Sequence, residues 1–253
     1  MKKNAILFLI LLLLPLIGCL QQQETEQHLF NCILVEGKGK FYSIQQAVDH
    51  ATNGDLIIVY PGNYEETILV NKTLHIQGEG EPVISCSNNT GSIITVTANN
   101  CRITGLHIKG NKQWGGNGSL TGLKISSAGN KIENNTIENT YYGVEMSRGA
   151  DNNLIIFNHI FNNTDGVEAI LACNNVFSHN NISWNHHSGV YLGYQSRYNT
   201  ITQNIFINNG RGVHLKGASS NKVVQNTFIN NTIETSECCG AEGKNLIQDN
   251  IYR

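Results

Sequence analysis

Six residues follow Gly-Leu or Gly-Val steps along this chain. His107 follows Gly105-Leu106, Lys124 follows Gly122-Leu123, and Glu145, Glu168, Tyr191 and His214 follow the Gly-Val steps at 143, 166, 189 and 212. If the apolar residue of each step faces a core, the next one faces solvent, and six polar groups fall into one outward column. Its centre is a pair of glutamates. Two carboxyls one strand spacing apart, ~4.8 Å, raise one another's pKa or draw in a cation such as Ca2+. Such a separation also suits a retaining glycosidase, in which one neutral carboxyl protonates the leaving oxygen and one ionised carboxyl attacks or stabilises. Asp165, Arg211 and His187 stand near the starts of the same segments and would widen that site or serve as turn residues. The plainer reading of the stripe is a solvated ladder, in which Lys124 and Tyr191 flank two glutamates and keep a sheet soluble. Trp114, Trp184, Tyr141, Tyr142, Tyr191 and Tyr194 offer flat faces for stacking on sugar rings.

What must position these groups is a repeat. Gly143, Gly166, Gly189 and Gly212 are 23 residues apart, and Asn135, Asn158, Asn181 and Asn204 keep the same interval, as do Asn139, Asn162, Asn185 and Asn208. A unit of this size built from short β-branched runs buries its apolar face only by stacking on its neighbours. Val144 with Met146, Val190 with Leu192 and Val213 with Leu215 alternate as half-buried strands do, and Ile137, Ile160, Ile182, Phe206 and Phe228 supply a second apolar column. Of 35 asparagines, 24 lie at or after Asn130, which suits tight corners where Asn tolerates left-handed backbone and identical amides bond along a stack. The expectation is an all-β parallel β-helix of about 23 residues per coil.

Both ends of the repeat are marked. Ser43 is an N-cap with Gln46 as its capping-box partner, Ile44, Ala47, Val48 and Ala51 form one apolar face, and Asn53-Gly54 is a helix stop. This short helix is expected to cap the first coil, whose edge groups would otherwise be unpaired. Residues 109–120 read as a loop carrying Trp114, and residues 235–244 break the rhythm where a C-terminal cap belongs.

Only 14% of the 253 residues are charged and the net charge is −2, so no basic field exists to hold nucleic acid. Lys2 and Lys3, the apolar run from Ala5 to Leu14 and the ending Leu16-Ile17-Gly18-Cys19 look like a lipoprotein export signal. The expected organisation is a signal peptide over 1–18, a tether over 19–33 that is lipid-anchored at Cys19, and a β-helix over 34–253. That places the chain outside the cytoplasm. The remaining cysteines at 32, 86, 101, 173, 238 and 239 suggest one or two disulfides of undetermined pairing, and no spacing typical of a metal site appears.

The segments Tyr42-Ser43-Ile44-Gln45-Gln46-Ala47-Val48, Gly54-Asp55-Leu56-Ile57-Ile58-Val59-Tyr60-Pro61-Gly62-Asn63-Tyr64 and Lys72-Thr73-Leu74-His75-Ile76-Gln77-Gly78 resemble the opening of right-handed parallel β-helix proteins of the pectin lyase-like superfamily. The Asn-rich repeats are most similar to its NosD-type group. The resemblance covers residues 34–253 and implies the fold far more than a function, since the superfamily holds lyases, hydrolases, esterases, epimerases and binders. Asn163-Thr164-Asp165-Gly166 matches one polygalacturonase segment, but the paired aspartate and Gly-His-Gly are missing, as are the later methylesterase motifs and the Asp-Pro-His of alginate epimerases.

Three readings follow. One is a non-catalytic binder of a carbohydrate or cell-envelope polymer, with His107, Lys124, Tyr191, His214 and Trp114 as contacts and no cofactor beyond Ca2+ at Glu145 and Glu168. A second is a polysaccharide hydrolase or lyase using Glu145, Glu168, Asp165 and Arg211. A third, implied by the resemblance, is an accessory factor in copper-enzyme maturation with a protein partner or copper, although the histidines at 159, 179, 186, 187 and 214 fall at different phases of the repeat.

Overall fold

The computed structural model describes residues 31–111 and 119–253. The chain winds as a three-sided parallel β-solenoid whose walls have eleven, nine and eight strands, here called sheets A, B and C. Sheet A begins with an antiparallel trio, Ile33–Val35 between Gly39–Phe41 and Leu56–Val59, and continues in parallel through His75–Gly78, Arg102–Thr104 and Lys131–Glu133 to Leu246–Gln248. Cys32 and Ile33 are already buried, so the solenoid body takes in the end of the stretch expected as tether. The stretch 1–18 expected as a signal peptide and the expected lipidation site Cys19 lie outside the described residues.

Helix α1, Ile44–His50, caps the first coil with Ile44, Ala47 and Val48 in the common core. Ser43 is its N-cap and its Oγ accepts from Gln46 N at 3.4 Å, the backbone half of the expected capping box, but the return bond from the Gln46 side chain is replaced. Glu66 takes that role from the next segment, its carboxylate accepting from Ser43 Oγ, Ile44 N and Gln45 N at 2.8–3.0 Å. The helix also stops at His50 with an extended Ala51, three residues before Gly54, because Lys72 Nζ donates to the carbonyls of Val48, Asp49 and Ala51 and closes the end.

Like packs on like inside. In sheet B the residues Ile84, Ile108, Ile137, Ile160, Ile182, Phe206 and Phe228 are paired in direct register, and the rings of Phe206 and Phe228 stack at 4.9 Å. In sheet C, Gly143, Gly166 and Gly189 allow neighbouring backbones to close up: a Cβ on any of them would lie 2.5–2.7 Å from the carbonyl oxygen of the next glycine in the column.

Three asparagine ladders clamp the edges. Asn130, Asn153, Asn175, Asn199, Asn221 and Asn245 form one; Asn135, Asn158, Asn180, Asn204, Asn226 and Asn250 another; Thr140, Asn163, Asn185, Asn209 and Asn231 the third. Beyond the first rungs Asn130 and Asn135, which take only the backbone N–H of Cys101 and Leu106, each Oδ1 accepts from both the backbone N–H and the side chain of the residue one coil earlier. Asn180 Oδ1, for instance, takes 2.9 Å and 3.1 Å bonds from Asn158, while its own Nδ2 donates to Ile155 O and to Asn204 Oδ1. The second and third ladders correct the uniform 23-residue alignment. Their rungs are Asn180 rather than Asn181, and the partner of Asn162 at the left-handed corner is Trp184 rather than Asn185, because successive coils here consume 22 and then 24 residues. The cysteines are thiols among the described residues, with Cys32, Cys86 and Cys101 buried singly.

Removing one rung strands several buried polar groups at ~1–3 kcal/mol each. Asn180→Ala is therefore expected to cost about 2–4 kcal/mol in urea unfolding followed by circular dichroism, whereas the exposed neighbour Asn181→Ala should change stability by less than about 0.5 kcal/mol. Equal effects at the two positions would dismiss the ladder as a stabilising device.

Candidate functional site

Sheet C presents the polar column. Thr95, Lys124, Glu145, Glu168, Tyr191, His214 and Ser236 are paired one to the next along parallel strands. Glu145 and Glu168 thus stand side by side on the strands Tyr142–Met146 and Asp165–Ala169. A second column, Thr121, Tyr142, Asp165, Ser188 and Arg211, runs parallel to it three residues earlier in each strand. Arg211 and Asp165 are two coils apart, ~10 Å, so they flank the site rather than touch across it.

His107 does not belong here. It lies on the sheet B strand His107–Lys109 between Val83 and Thr136, with Nε2 2.8 Å from Glu138 Oε1. The reason is that Gly105-Leu106 is a corner between sheets A and B: Gly105 has φ +72°, and Leu106 N donates to Asn135 Oδ1 as the top of a ladder. Trp114 lies outside the described residues. His214 is on the column but buried, its ring edge-on to Tyr191 at 5.2 Å and to His187 at 5.8 Å, so it packs beside them rather than facing solvent.

The carboxyls have separate environments. Glu145 is fixed by Lys124 Nζ at 2.7 Å and by the Thr121 hydroxyl at 2.8 Å. Asp165 is buried and accepts from Ser188 and from His187, whose Nδ1 is 2.8 Å away; burial pushes its pKa up while His187 opposes the rise. Glu168 is pushed up to about 7, mainly by burial and then by the charges of Asp165 and Glu145, while a hydrogen bond from Tyr142 acts the other way. Burial also raises both phenols, Tyr191 to about 12. A Ca2+ ion between the glutamates would have to displace the Lys124 ammonium and ionise Glu168. The centre therefore brings together the Glu168 carboxyl poised near 7, the hydrogen-bonded carboxyl groups of Glu145 and Asp165, two phenols and the Lys124 side chain within a few strand spacings.

At the lower end His214 Nε2 lies 3.4 Å from Cys238 Sγ, which is 3.2 Å from Cys239 Sγ. Burial drives His214 down to about 4, and the contact with Cys239 holds the Cys238 thiol above its usual range. Among the described residues, no group of three or more His, Cys, Asp and Glu side chains is arranged to hold a metal ion.

The glutamate pair, Lys124 and Tyr191 were legible from their spacing. Tyr142 and Thr121 as their partners were not, because they lie three residues upstream across the Gly-Val step, where strict alternation would turn them inward. The Gly143 position is skipped in the pairing, which brings both columns onto one face.

Glu168 titrates from a folded pKa of about 7 against an ordinary 4.5. Its protonated form suits the fold, so its contribution is complete below about pH 4.5 and is lost as pH rises through about 7. Glu168→Gln is expected to raise Tm relative to the parent at about pH 8 and to leave it unchanged at about pH 4. Calorimetry across that range checks this, and a variant less stable than the parent at the higher pH would contradict the assignment.

Solved structures share the architecture at low identity. The Dettilon tailspike protein aligns over 77% of this chain and 55% of its own with TM-score 0.54 and 15% identity. A pectin methylesterase solved with a hexasaccharide aligns over 79% and 78% with TM-score 0.54 and 14% identity, and the Agl-KA catalytic domain over 78% and 46% with TM-score 0.54 and 17% identity. A cell surface glycoprotein of Methanothermus fervidus is 31% identical over 99% of this chain, which spans 43% of that relative's length. The family model described as periplasmic copper-binding protein (NosD) matches residues 48–245, and the chain belongs to the NosD family.

Proposed function

We propose that this protein is an extracytoplasmic solenoid that binds a carbohydrate or cell-envelope polymer along the outer face of sheet C, tethered to a membrane through lipid on Cys19. The observation that carries the reading is the in-register column Lys124, Glu145, Glu168 and Tyr191 with Tyr142 and Asp165 beside it. Carboxylates, a neutral carboxyl and an ammonium can each hydrogen-bond sugar hydroxyls, and half-buried phenols supply flat apolar faces. A sheet whose groups repeat every ~4.8 Å favours an extended polymer over a compact ligand. The surface glycoprotein relative and the family's periplasmic description support a location outside the cytoplasm.

A second reading is favoured by one feature, the carboxyl of Glu168 poised near neutrality. As a general acid it would protonate a glycosidic oxygen while Glu145, ion-paired to Lys124, faces the same bond one strand away. Copper, which the family's description names, finds no matching donor set among the described residues: the nearest assembly is the Cys238, Cys239 and His214 contact, and Cys238 is held as a thiol.

A glycan array probed with the domain starting near Gln21 tests the proposal. Retention of at least one polymer is expected, weakened about tenfold or more by Tyr191→Ala and persisting in the Glu145→Gln, Glu168→Gln double variant with no product released. Release of sugar by the parent that Glu168→Gln abolishes would replace binding by hydrolysis. Failure to retain any glycan, or stoichiometric copper surviving dialysis, would remove the carbohydrate reading.

A further inference from the structure

The edge between sheets B and C carries a second feature. At this edge the residue before each ladder rung is left-handed, with φ between 52° and 59° at Asn139, Asn162, Trp184, Asn208 and Asn230. Four are asparagine, which tolerates that backbone; the fifth is a tryptophan, which disfavours it. Trp184 is also 62% exposed. Phe157, an aromatic in the left-handed position of the A–B edge, lies against His179 at 4.8 Å. A strained position given to a large exposed indole marks a site where something other than folding selects the residue.

The same coil has one residue more than its neighbours at this edge. Three steps lead from Asn163 to Gly166 and three from Asn209 to Gly212, but four lead from Asn185 to Gly189. The extra residue bulges the backbone at His186 and His187 so far that a Cβ at Gly210 in the next coil would lie 2.4 Å and 2.8 Å from their carbonyl oxygens. It also delivers His187 to Asp165. Beside the bulge is an open groove of about 460 Å³ lined by Trp184, His186, Asn162, Asn208, Asn230 and Thr232. It crosses four coils, ~14 Å, and its lining residue His186 is the chain neighbour of the His187 that meets Asp165 on sheet C.

We propose that this groove is a separate carbohydrate subsite, in which the Trp184 indole stacks on the apolar face of a pyranose ring and the corner amides bond its hydroxyls. An oligosaccharide seated there continues over the His187 bulge onto the sheet C column. An indole supplies a large flat apolar area, and amide groups both donate and accept, as sugar hydroxyls require. The inference rests on the sheet C reading for the rest of the chain's path, but not for the groove itself.

The test uses hexasaccharides and disaccharides from three series, a neutral glucan, a chitooligosaccharide and an oligouronate, titrated against the full chain by calorimetry. The key variant is Trp184→Asn, which restores the residue type of the other four corners and so preserves the fold. Tyr198→Ala is the control, since Tyr198 is 61% exposed in a left-handed corner at another edge. Trp184→Asn is expected to weaken hexasaccharide binding about tenfold or more, with disaccharide binding and the Tyr198→Ala variant unchanged within about twofold. Hexasaccharide binding that survives Trp184→Asn and is lost in Tyr191→Ala overturns the groove and leaves sheet C standing. Binding lost in Trp184→Asn and kept in Tyr191→Ala does the reverse, and a parent that binds no member of the three series overturns both.

Discussion

The asparagine ladders are the constraint on which the rest of the molecule depends. A parallel solenoid must turn a corner three times per coil, and each corner leaves backbone amides that no strand can pair. A buried Asn at each corner answers this with one side chain: its oxygen takes the amide and the side chain of the preceding coil, and its nitrogen donates to a carbonyl there and to the next rung. Because the rungs repeat one geometry, asparagine at every position but Thr140, the coils are held in vertical register at three points. That register makes the outer columns continuous, so that Glu145 faces Glu168 and Glu168 faces Tyr191.

The electrostatics of the column follow from that alignment. In an isolated strand a glutamate such as Glu168 would be solvated on both sides. Here it is flanked by Glu145 on one coil and Tyr191 on the next, with Tyr142 and Asp165 closing the third side. Burial and like charge act together to keep its proton. Glu145, one coil away, meets Lys124 and Thr121 instead. Identical side chains at equivalent positions thus acquire different chemistry because the stack ends their equivalence one coil at a time.

The sequence made the coil length, the inward columns and the glutamate pair readable, because Gly-Val steps recur without drift where glycine carbonyls touch. It misplaced whatever depended on counting through a corner. Gly105-Leu106 looks in sequence like the Gly-Val steps that lead onto sheet C, yet a left-handed Gly105 and a ladder bond from Leu106 N make it a corner and put His107 on sheet B. Asn181 and Asn185 kept a perfect interval with Asn158 and Asn162, but the rungs are Asn180 and Asn185, and Trp184 takes the left-handed corner. In so Asn-rich a chain a one-residue shift still lands on asparagine, and composition conceals the slip. The helix cap was visible in Ser43, but its partner Glu66 was not, since 23 residues separate them and only the fold brings them together.

That concealed slip is where the solenoid departs from its own rule. A stack held by three ladders cannot absorb an extra residue in a strand without breaking the register of a whole wall. It can absorb one in a corner, where the ladder fixes one side and the glycine column fixes the other. The extra residue between Asn185 and Gly189 is confined in this way: the strands on both sides keep their pairing, Ser188 with Asp165 and Val190 with Val167. What changes is local, a backbone bulge pressed against Gly210 and a histidine turned onto Asp165. A rigid repeat therefore gains chemical variety from single-residue changes at its edges, while the ladders preserve the frame around them. The coil with this insertion is also the coil that replaces a corner asparagine with tryptophan, so two departures from the repeat coincide at one edge, beside the Asp165 carboxyl whose charge helps to hold the proton of Glu168.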